Sequence, residues 1–125
     1  MGQAVVHVEV IGAEPAKLRS FYGDLFGWEF DTSGKVSESI SEPTDYGFTD
    51  NKTEDGVGVP GGVGGGAGKD PYVTFYVNVP DVEAALRRAE ELGGTRLFGP
   101  DKQDSGLVIG HFTDPEGHRI GLAQL

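Results

Sequence analysis

The sequence has 125 residues, 37% of them hydrophobic, and this length fits one domain because two independent halves would each bury too little surface. Twenty acidic against ten basic residues give a net charge of −10, which argues against nucleic acid or an anionic membrane as a partner. With no cysteine, the chain has no disulfides, no thiolate metal ligands and no cysteine nucleophile.

The N-terminal sequence MGQAVVHVEV has neither the basic region nor the apolar run of a signal peptide. No later run of apolar residues approaches the length of a membrane span. We therefore expect a soluble, cytoplasmic protein.

The first element is an alternating strand followed by a helix. Over residues 3–11 valines alternate with polar side chains, so that His7 and Glu9 share one face of the strand. A helix then begins near Pro15, because proline is tolerated in the first helical turn, and ends at Gly27, which suits a left-handed cap. The helix carries one apolar stripe, formed by Leu18, Phe21, Tyr22, Leu25 and Phe26.

The middle of the chain carries weaker patterns. A strand is predicted at 28–30, and the polar segment 31–55 offers two further short strands, at 36–41 and 46–49.

The glycine-rich segment 56–68, GVGVPGGVGGGAG, contains a G-x-G-x-x-G match that begins at Gly56. A dinucleotide site would need a hydrophobic strand before the motif and a helix after it, and neither is present. We interpret the segment as a strand near 56–60 that continues into a flexible linker over about 61–69.

The second half repeats the order of the first. Residues 71–79 alternate as a strand, Asp81 is a favourable N-cap, and a helix with an apolar stripe runs from Val82 to Gly93-Gly94. Further strands are predicted at 95–98, 107–113 and 118–123, with a polar loop at 99–105 and a Pro-Gly turn at 114–117.

The chain therefore consists of two strand–helix–three-strand units, and the predicted fold class is α+β. Each unit has an apolar strand face and an apolar helix stripe, and neither unit can bury both alone. We expect the apolar strand faces to lie under the helices. The polar strand faces, which include His7 and Glu9, would then face away from the helices and be available to line a different surface.

This repeat resembles the vicinal oxygen chelate superfamily, which includes glyoxalase I, bleomycin-binding proteins and extradiol dioxygenases. The resemblance is carried by Phe21-Tyr22, by Leu25-Phe26-Gly27-Trp28 and by Asp114-Pro115-Glu116-Gly117-His118. It implies one domain over 1–125, with a first module at about 1–62 and a second at about 70–125. It also implies two βαβββ modules that form a curved mixed sheet around a cavity, with the helices on the outer face, and a homodimer.

In the enzymes of this superfamily four strand positions hold a divalent metal. Carried over, they fall on His7, near Gly58, on Tyr72 or Thr74, and on Gly121, so only His7 keeps a metal-ligand side chain. Since a catalytic metal needs about three His, Asp or Glu ligands, we predict no cofactor and no standard four-ligand site. A rearranged site from His7, Glu9 and His111 is the alternative that would still admit a divalent metal.

Glu9 is the candidate base and His7 a donor or base, because both lie on the polar strand face. The alternatives are that this pair satisfies its own hydrogen bonds or that it lies at a dimer contact. Ligand-binding candidates are Tyr72, Thr74, Tyr76, Arg119 and His111, although the tyrosine rings could instead fill the cavity themselves.

The resemblance thus favours a protein that binds a small organic molecule and lacks the usual metal site. A metal-dependent lyase or dioxygenase with rearranged ligands is the second hypothesis. A non-catalytic interaction module with a filled cavity is the third.

Overall fold

The computed structural model of the chain describes residues 2–125 and contains seven strands and two helices, which confirms the predicted α+β class. The chain divides into two compact units, His7–Val73 and residues 2–6 with Thr74–Leu125. In chain order the elements are β1 (Val5–Gly12), α1 (Pro15–Phe26), β2 (Gly47–Thr49), β3 (Gly61–Gly65), β4 (Tyr72–Asn78), α2 (Val82–Glu91), β5 (Thr95–Lys102), β6 (Val108–Thr113) and β7 (Arg119–Gln124).

The strand pairing confirms the internal repeat. In the unit His7–Val73, β1 pairs in parallel with β3, which pairs antiparallel with β2, and α1 packs on β3. In the other unit, β4 pairs in parallel with β7, which continues antiparallel through β6 to β5, and α2 packs on these last three strands. In both repeats the first strand lies beside the last strand of the same repeat: β1 lies beside β3, and β4 lies beside β7.

Two helix ends, the last residue of α1 and the first of α2, are as the sequence indicates, whereas α2 ends at Glu91, before the predicted Gly93-Gly94. Gly27 adopts a left-handed conformation, with φ of 73°, and closes α1. The side chain of Asp81 accepts a hydrogen bond from the backbone N–H of Ala84 and caps α2. No helix within residues 2–125 is both long and apolar enough to cross a membrane.

The glycine-rich segment corrects the sequence interpretation. The predicted linker contains β3, all five residues of which are buried, whereas residues 56–60 do not form the predicted strand. Glycine is a poor strand residue unless another group must approach the backbone closely. Here that group is the Tyr46 ring, since an added Cβ would lie 2.1 Å from it at Gly62 and 2.5 Å at Gly64.

The first repeat is shorter than predicted. The strands expected at 28–30 and 36–41 do not form, and only one isolated bridge, between Asp31 and Phe48, is present there. Within the expected strand at 46–49, β2 covers three residues. In the second repeat β5 extends through Lys102, well into the predicted polar loop.

The prediction about strand faces is wrong for β4. Val73 and Phe75 are 72% and 40% exposed, whereas Thr74 and Tyr76 are 5% and 4% exposed. Polar groups can be buried in this way when their hydrogen bonds are satisfied, and every one of the buried side-chain nitrogens and oxygens among residues 2–125 has a partner.

The two helices differ in burial. The stripe of α2 is buried at Val82 and Leu86, which are inaccessible to solvent and packed with Val79 and Leu122, whereas its last residue, Leu92, is exposed. The stripe of α1 is not buried, because three of its apolar residues remain more than half exposed. These residues are Phe21, Leu25 and Phe26.

We expect Gly62→Ala to lower the free energy of unfolding by about 1–3 kcal/mol, because the new methyl group must displace the Tyr46 ring. Gly34→Ala is the matched control, since a Cβ there meets nothing within 4 Å, and it should change stability by less than about 0.5 kcal/mol. Urea denaturation measures both. Equal stabilities of the two variants would contradict the assignment of Gly62 to a strand beneath Tyr46.

Candidate functional site

The unit His7–Val73 contains a chain of three hydrogen bonds that starts on β1. His7 Nε2 lies 2.8 Å from the Tyr46 hydroxyl, which donates to Glu9 Oε1 at 2.8 Å. The Tyr72 hydroxyl donates to the other carboxylate oxygen, Oε2, also at 2.8 Å. Glu9 is only 1% exposed, so two tyrosine hydroxyls supply the hydrogen bonds that a buried carboxylate needs.

Tyr46 is held by its neighbours in the otherwise irregular segment before β2. Arg19 of α1 forms an ion pair with Asp45 at 2.6 Å, next to Tyr46 in sequence. The Ser41 hydroxyl accepts a hydrogen bond from the backbone N–H of Gly65 in β3 at 2.9 Å. These contacts fix the segment against the helix and the strand, so the Tyr46 hydroxyl has a defined position.

A cavity of about 520 Å³ opens beside His7 in the same unit. The imidazole lies 5.9 Å, between ring centroids, from Phe48, and Phe30 forms a further aromatic wall. None of the lining residues, all within 2–125, is Lys or Arg. Three carboxylates stand at the rim, and these belong to Glu29, Asp31 and Asp50. The cavity therefore combines apolar walls, one imidazole and negative charge.

Burial lowers the pKa of His7 from its usual 6.5 to about 4, so the imidazole is neutral at pH 7. Hydrogen bonds from Ser33 lower the pKa of Asp31 at the rim, which keeps that carboxylate charged.

The unit with Thr74–Leu125 holds a second cluster around His111, which has no solvent exposure. Arg119 Nε donates to His111 Nδ1 at 2.7 Å, and His111 Nε2 lies 2.6 Å from the Tyr76 hydroxyl. Burial and then the charge of Arg119 lower the pKa of His111 to about 3. His111 is therefore neutral, with its proton on Nε2 and donated to Tyr76. The Thr74 hydroxyl donates to the Arg119 carbonyl.

The predicted site residues thus fall into two clusters. One contains His7, Glu9 and Tyr72; the other contains Thr74, Tyr76, His111 and Arg119. The residue that the sequence analysis missed is Tyr46, which appears there only within the predicted strand at 46–49. Its local sequence is polar and irregular, and the one signal that could have found it is the glycine strand that makes room for a large ring.

The two clusters follow one pattern. Glu9 is opposite Gly62 in the strand register, and Tyr76 is opposite Gly121. In each unit a tyrosine ring lies over that glycine, with Tyr46 at 2.1 Å and Tyr76 at 2.5 Å from the position of an added Cβ. Each of these tyrosines is hydrogen-bonded to a histidine. Tyrosine rings therefore occupy the space into which side chains of the last strands would project.

This register also corrects one position carried over from the resemblance. The residue that matches Gly121 is Gly62 on β3, not Gly58, which lies in the preceding loop. Neither glycine offers a ligand. Within residues 2–125 no three or more His, Cys, Asp or Glu side chains are grouped so that they could hold a metal ion. The residues present therefore do not fit the four-ligand metal site of the superfamily.

The hydrogen bonds of His7, Glu9 and His111 disfavour the rearranged metal site. Both oxygens of Glu9 accept tyrosine hydroxyls, and Nε2 of His7 is occupied by Tyr46. His111 uses Nδ1 to accept from Arg119, which takes the lone pair that a metal would require.

The chain was compared with known protein families, sequences and structures. The model of the glyoxalase/bleomycin resistance protein/dioxygenase superfamily matches residues 4–122, and the chain belongs to this superfamily. No curated protein sequence matches the chain significantly.

The structure is similar to that of a Streptomyces coelicolor methylmalonyl-CoA epimerase variant in complex with 2-nitronate-propionyl-CoA. The TM-score is 0.67 at 17% identity over 98% of this chain and 96% of that one. Methylmalonyl-CoA epimerase from Mycobacterium tuberculosis has a TM-score of 0.67 at 14% identity, covering 96% and 86%. A superfamily member from Vibrio splendidus has 0.58 at 20% identity, covering 99% and 100%. At these identities the likeness shows a shared fold.

The lowered pKa of His7 makes the free energy of unfolding depend on pH. Because His7 titrates near 6.5 when unfolded and near 4 when folded, the unfolded state binds more protons between these values, and stability falls as the pH is lowered through them. Between pH 7.5 and 4.5 we expect the wild type to lose roughly 2–3 kcal/mol more than His7→Gln, measured by urea denaturation. Parallel pH dependence in the two proteins would refute this assignment.

Proposed function

We propose that the chain binds a small organic molecule in the cavity beside His7, without a metal at the four superfamily positions. One observation supports this most directly: the cavity of about 520 Å³ pairs aromatic walls with a neutral imidazole held in place by Tyr46. Small-molecule sites typically combine mostly apolar walls with a few fixed polar groups.

The charge of the cavity narrows the proposed ligand class. The similar epimerases act on CoA esters, which carry several phosphates. Here three rim carboxylates and a net charge of −10 would repel such a ligand. We therefore propose a neutral or positively charged molecule with an apolar body that packs against Phe30 and Phe48.

Acid–base catalysis on the bound molecule is a second candidate function. It is favoured by the hydrogen-bonded chain from His7 through Tyr46 to Glu9, which connects a cavity group to a buried carboxylate. A histidine that is neutral at pH 7 can accept a proton from a ligand.

Three small probes of equal shape test the ligand class: benzylamine, benzyl alcohol and benzoate. We expect the amine and the alcohol to shift the amide signals of His7 and Phe48 in proton–nitrogen NMR titrations. Benzoate should bind about tenfold or more weakly, because it places a carboxylate among three others. Shifts that map elsewhere, or tightest binding by benzoate, would contradict the proposal.

Two variants complete this test. His7→Ala should abolish the shifts at Phe48, whereas His118→Ala should not, since His118 is exposed and hydrogen-bonded to Asp114 outside the cavity. If none of the probes binds, the filled-cavity module gains support. One retained equivalent of divalent metal that is lost in His7→Ala would instead favour the metal-dependent lyase or dioxygenase.

We also propose a homodimer that covers the exposed stripe of α1. Leu25 is 59% exposed beside two exposed phenylalanines, an arrangement typical of an interaction surface. We expect sedimentation equilibrium to give the mass of two chains, and Leu25→Glu to give one. Leu92→Glu is the matched control, because Leu92 is 63% exposed at the end of the other helix. A monomeric wild type would overturn the proposal.

A further inference from the structure

We infer that Tyr46 is a proton relay, through which a proton accepted by His7 from a cavity ligand comes to rest on Glu9. This inference rests on the proposed ligand site beside His7 and specifies how that site handles protons. The relay consists of His7 Nε2, the Tyr46 hydroxyl and Glu9 Oε1, joined by two hydrogen bonds of 2.8 Å each.

The starting arrangement follows from counting protons. Glu9, as a carboxylate, can only accept, and its two oxygens receive the hydroxyl protons of Tyr46 and Tyr72. The Tyr46 oxygen has then given its single proton to Glu9. The contact between Tyr46 and His7 must therefore be a hydrogen bond in which Nε2–H donates to the tyrosine oxygen. The neutral imidazole is the Nε2–H tautomer, and its basic nitrogen is Nδ1.

The transfer step conserves every proton. A proton arriving at Nδ1 forms a new N–H bond there, and the Nε2–H bond breaks as its proton moves to the Tyr46 oxygen. The original hydroxyl proton of Tyr46 moves at the same time to Glu9 Oε1. The products are the Nδ1–H tautomer of His7, an intact tyrosine and a neutral carboxylic acid, and the ligand is left with one proton fewer.

The relay avoids a positively charged imidazolium at the partly buried His7. Solvent is largely excluded around His7 and almost entirely around Glu9, and an uncompensated charge in such surroundings is costly. Passing the proton on leaves His7 neutral and removes the negative charge of Glu9. His7 is then the group that meets the ligand, while Glu9 is the group that stores the proton.

The position of the relay is rigid. The Tyr46 ring lies directly over Gly62 and Gly64, and the neighbouring Asp45 is tied to Arg19. The Tyr46 hydroxyl must both accept a hydrogen bond from His7 and donate one to Glu9. A fixed ring favours this, because a small displacement would lengthen one of the two bonds. Tyr46 is thus a positioning residue for His7.

The test compares Tyr46→Phe with Tyr72→Phe, which each remove one hydroxyl from Glu9, although only the first breaks the link to His7. Ring-nitrogen chemical shifts of labelled histidine at pH 7 report the tautomer. We expect the Nε2–H form of His7 in the wild type and in Tyr72→Phe. In Tyr46→Phe the ratio of Nε2–H to Nδ1–H should fall by about fivefold to tenfold. An unchanged ratio, or an Nδ1–H wild type, would overturn the inference.

A second variant tests the direction of the relay and does not depend on the first. Glu9→Gln in the Tyr72→Phe background mimics the protonated acid, since the amide N–H group has the Tyr46 oxygen as its acceptor. Tyr46 should then donate to Nε2, and His7 should switch to the Nδ1–H tautomer. Retention of the Nε2–H form would contradict the relay. The signals of His111, which belongs to the other cluster, serve as the check that each variant is folded.

The outcomes separate this inference from the proposed function. Failure of benzylamine to bind, with the tautomers as expected, would refute the ligand site and leave the hydrogen-bond direction standing. Binding of benzylamine with tautomers that do not respond to Tyr46→Phe would refute the relay alone.

Discussion

A buried carboxylate must have hydrogen-bond donors, and this requirement at Glu9 organises the unit His7–Val73. The donors are two tyrosine hydroxyls, and one of them, Tyr46, can reach Glu9 only because its ring lies on the backbone of glycines in β3. The unusual composition of that strand therefore follows from the needs of one side chain on the neighbouring strand. Removing the glycines would move the ring, and removing the ring would deprive the carboxylate of the Tyr46 donor.

The two repeats share one arrangement of tyrosine, glycine and histidine. In each unit a tyrosine ring lies on a glycine of the last strand, and its hydroxyl contacts a neutral histidine. At Gly62 and Gly121 the chain offers no side chain on the last strand of each unit, and aromatic rings with hydroxyl tips fill the space. Fold membership alone accordingly says little about what the site does.

Part of the candidate site could be predicted from the sequence. His7 and Glu9 were found because alternation on a strand places i and i+2 on one face. Tyr72, Tyr76, His111 and Arg119 were found through their strands as well, but the sequence could not divide them into two clusters, because each pairing spans 8 residues or more. Tyr46 was missed because it precedes a strand of three residues in a polar segment without a clear period.

The sequence by itself determined the α+β class, the repeat and both helices, with the caps at Gly27 and Asp81. These depend on local periodicity, on capping chemistry and on side-chain type, all of which are readable along the chain. Only the tertiary structure decided that the glycine-rich segment is a buried strand, that Thr74 and Tyr76 are buried while Val73 and Phe75 are exposed, and that Tyr46 joins His7 to Glu9. The reason is that burial and long-range hydrogen bonds depend on which groups meet in space, and a glycine strand has no side-chain pattern from which its partner could be inferred.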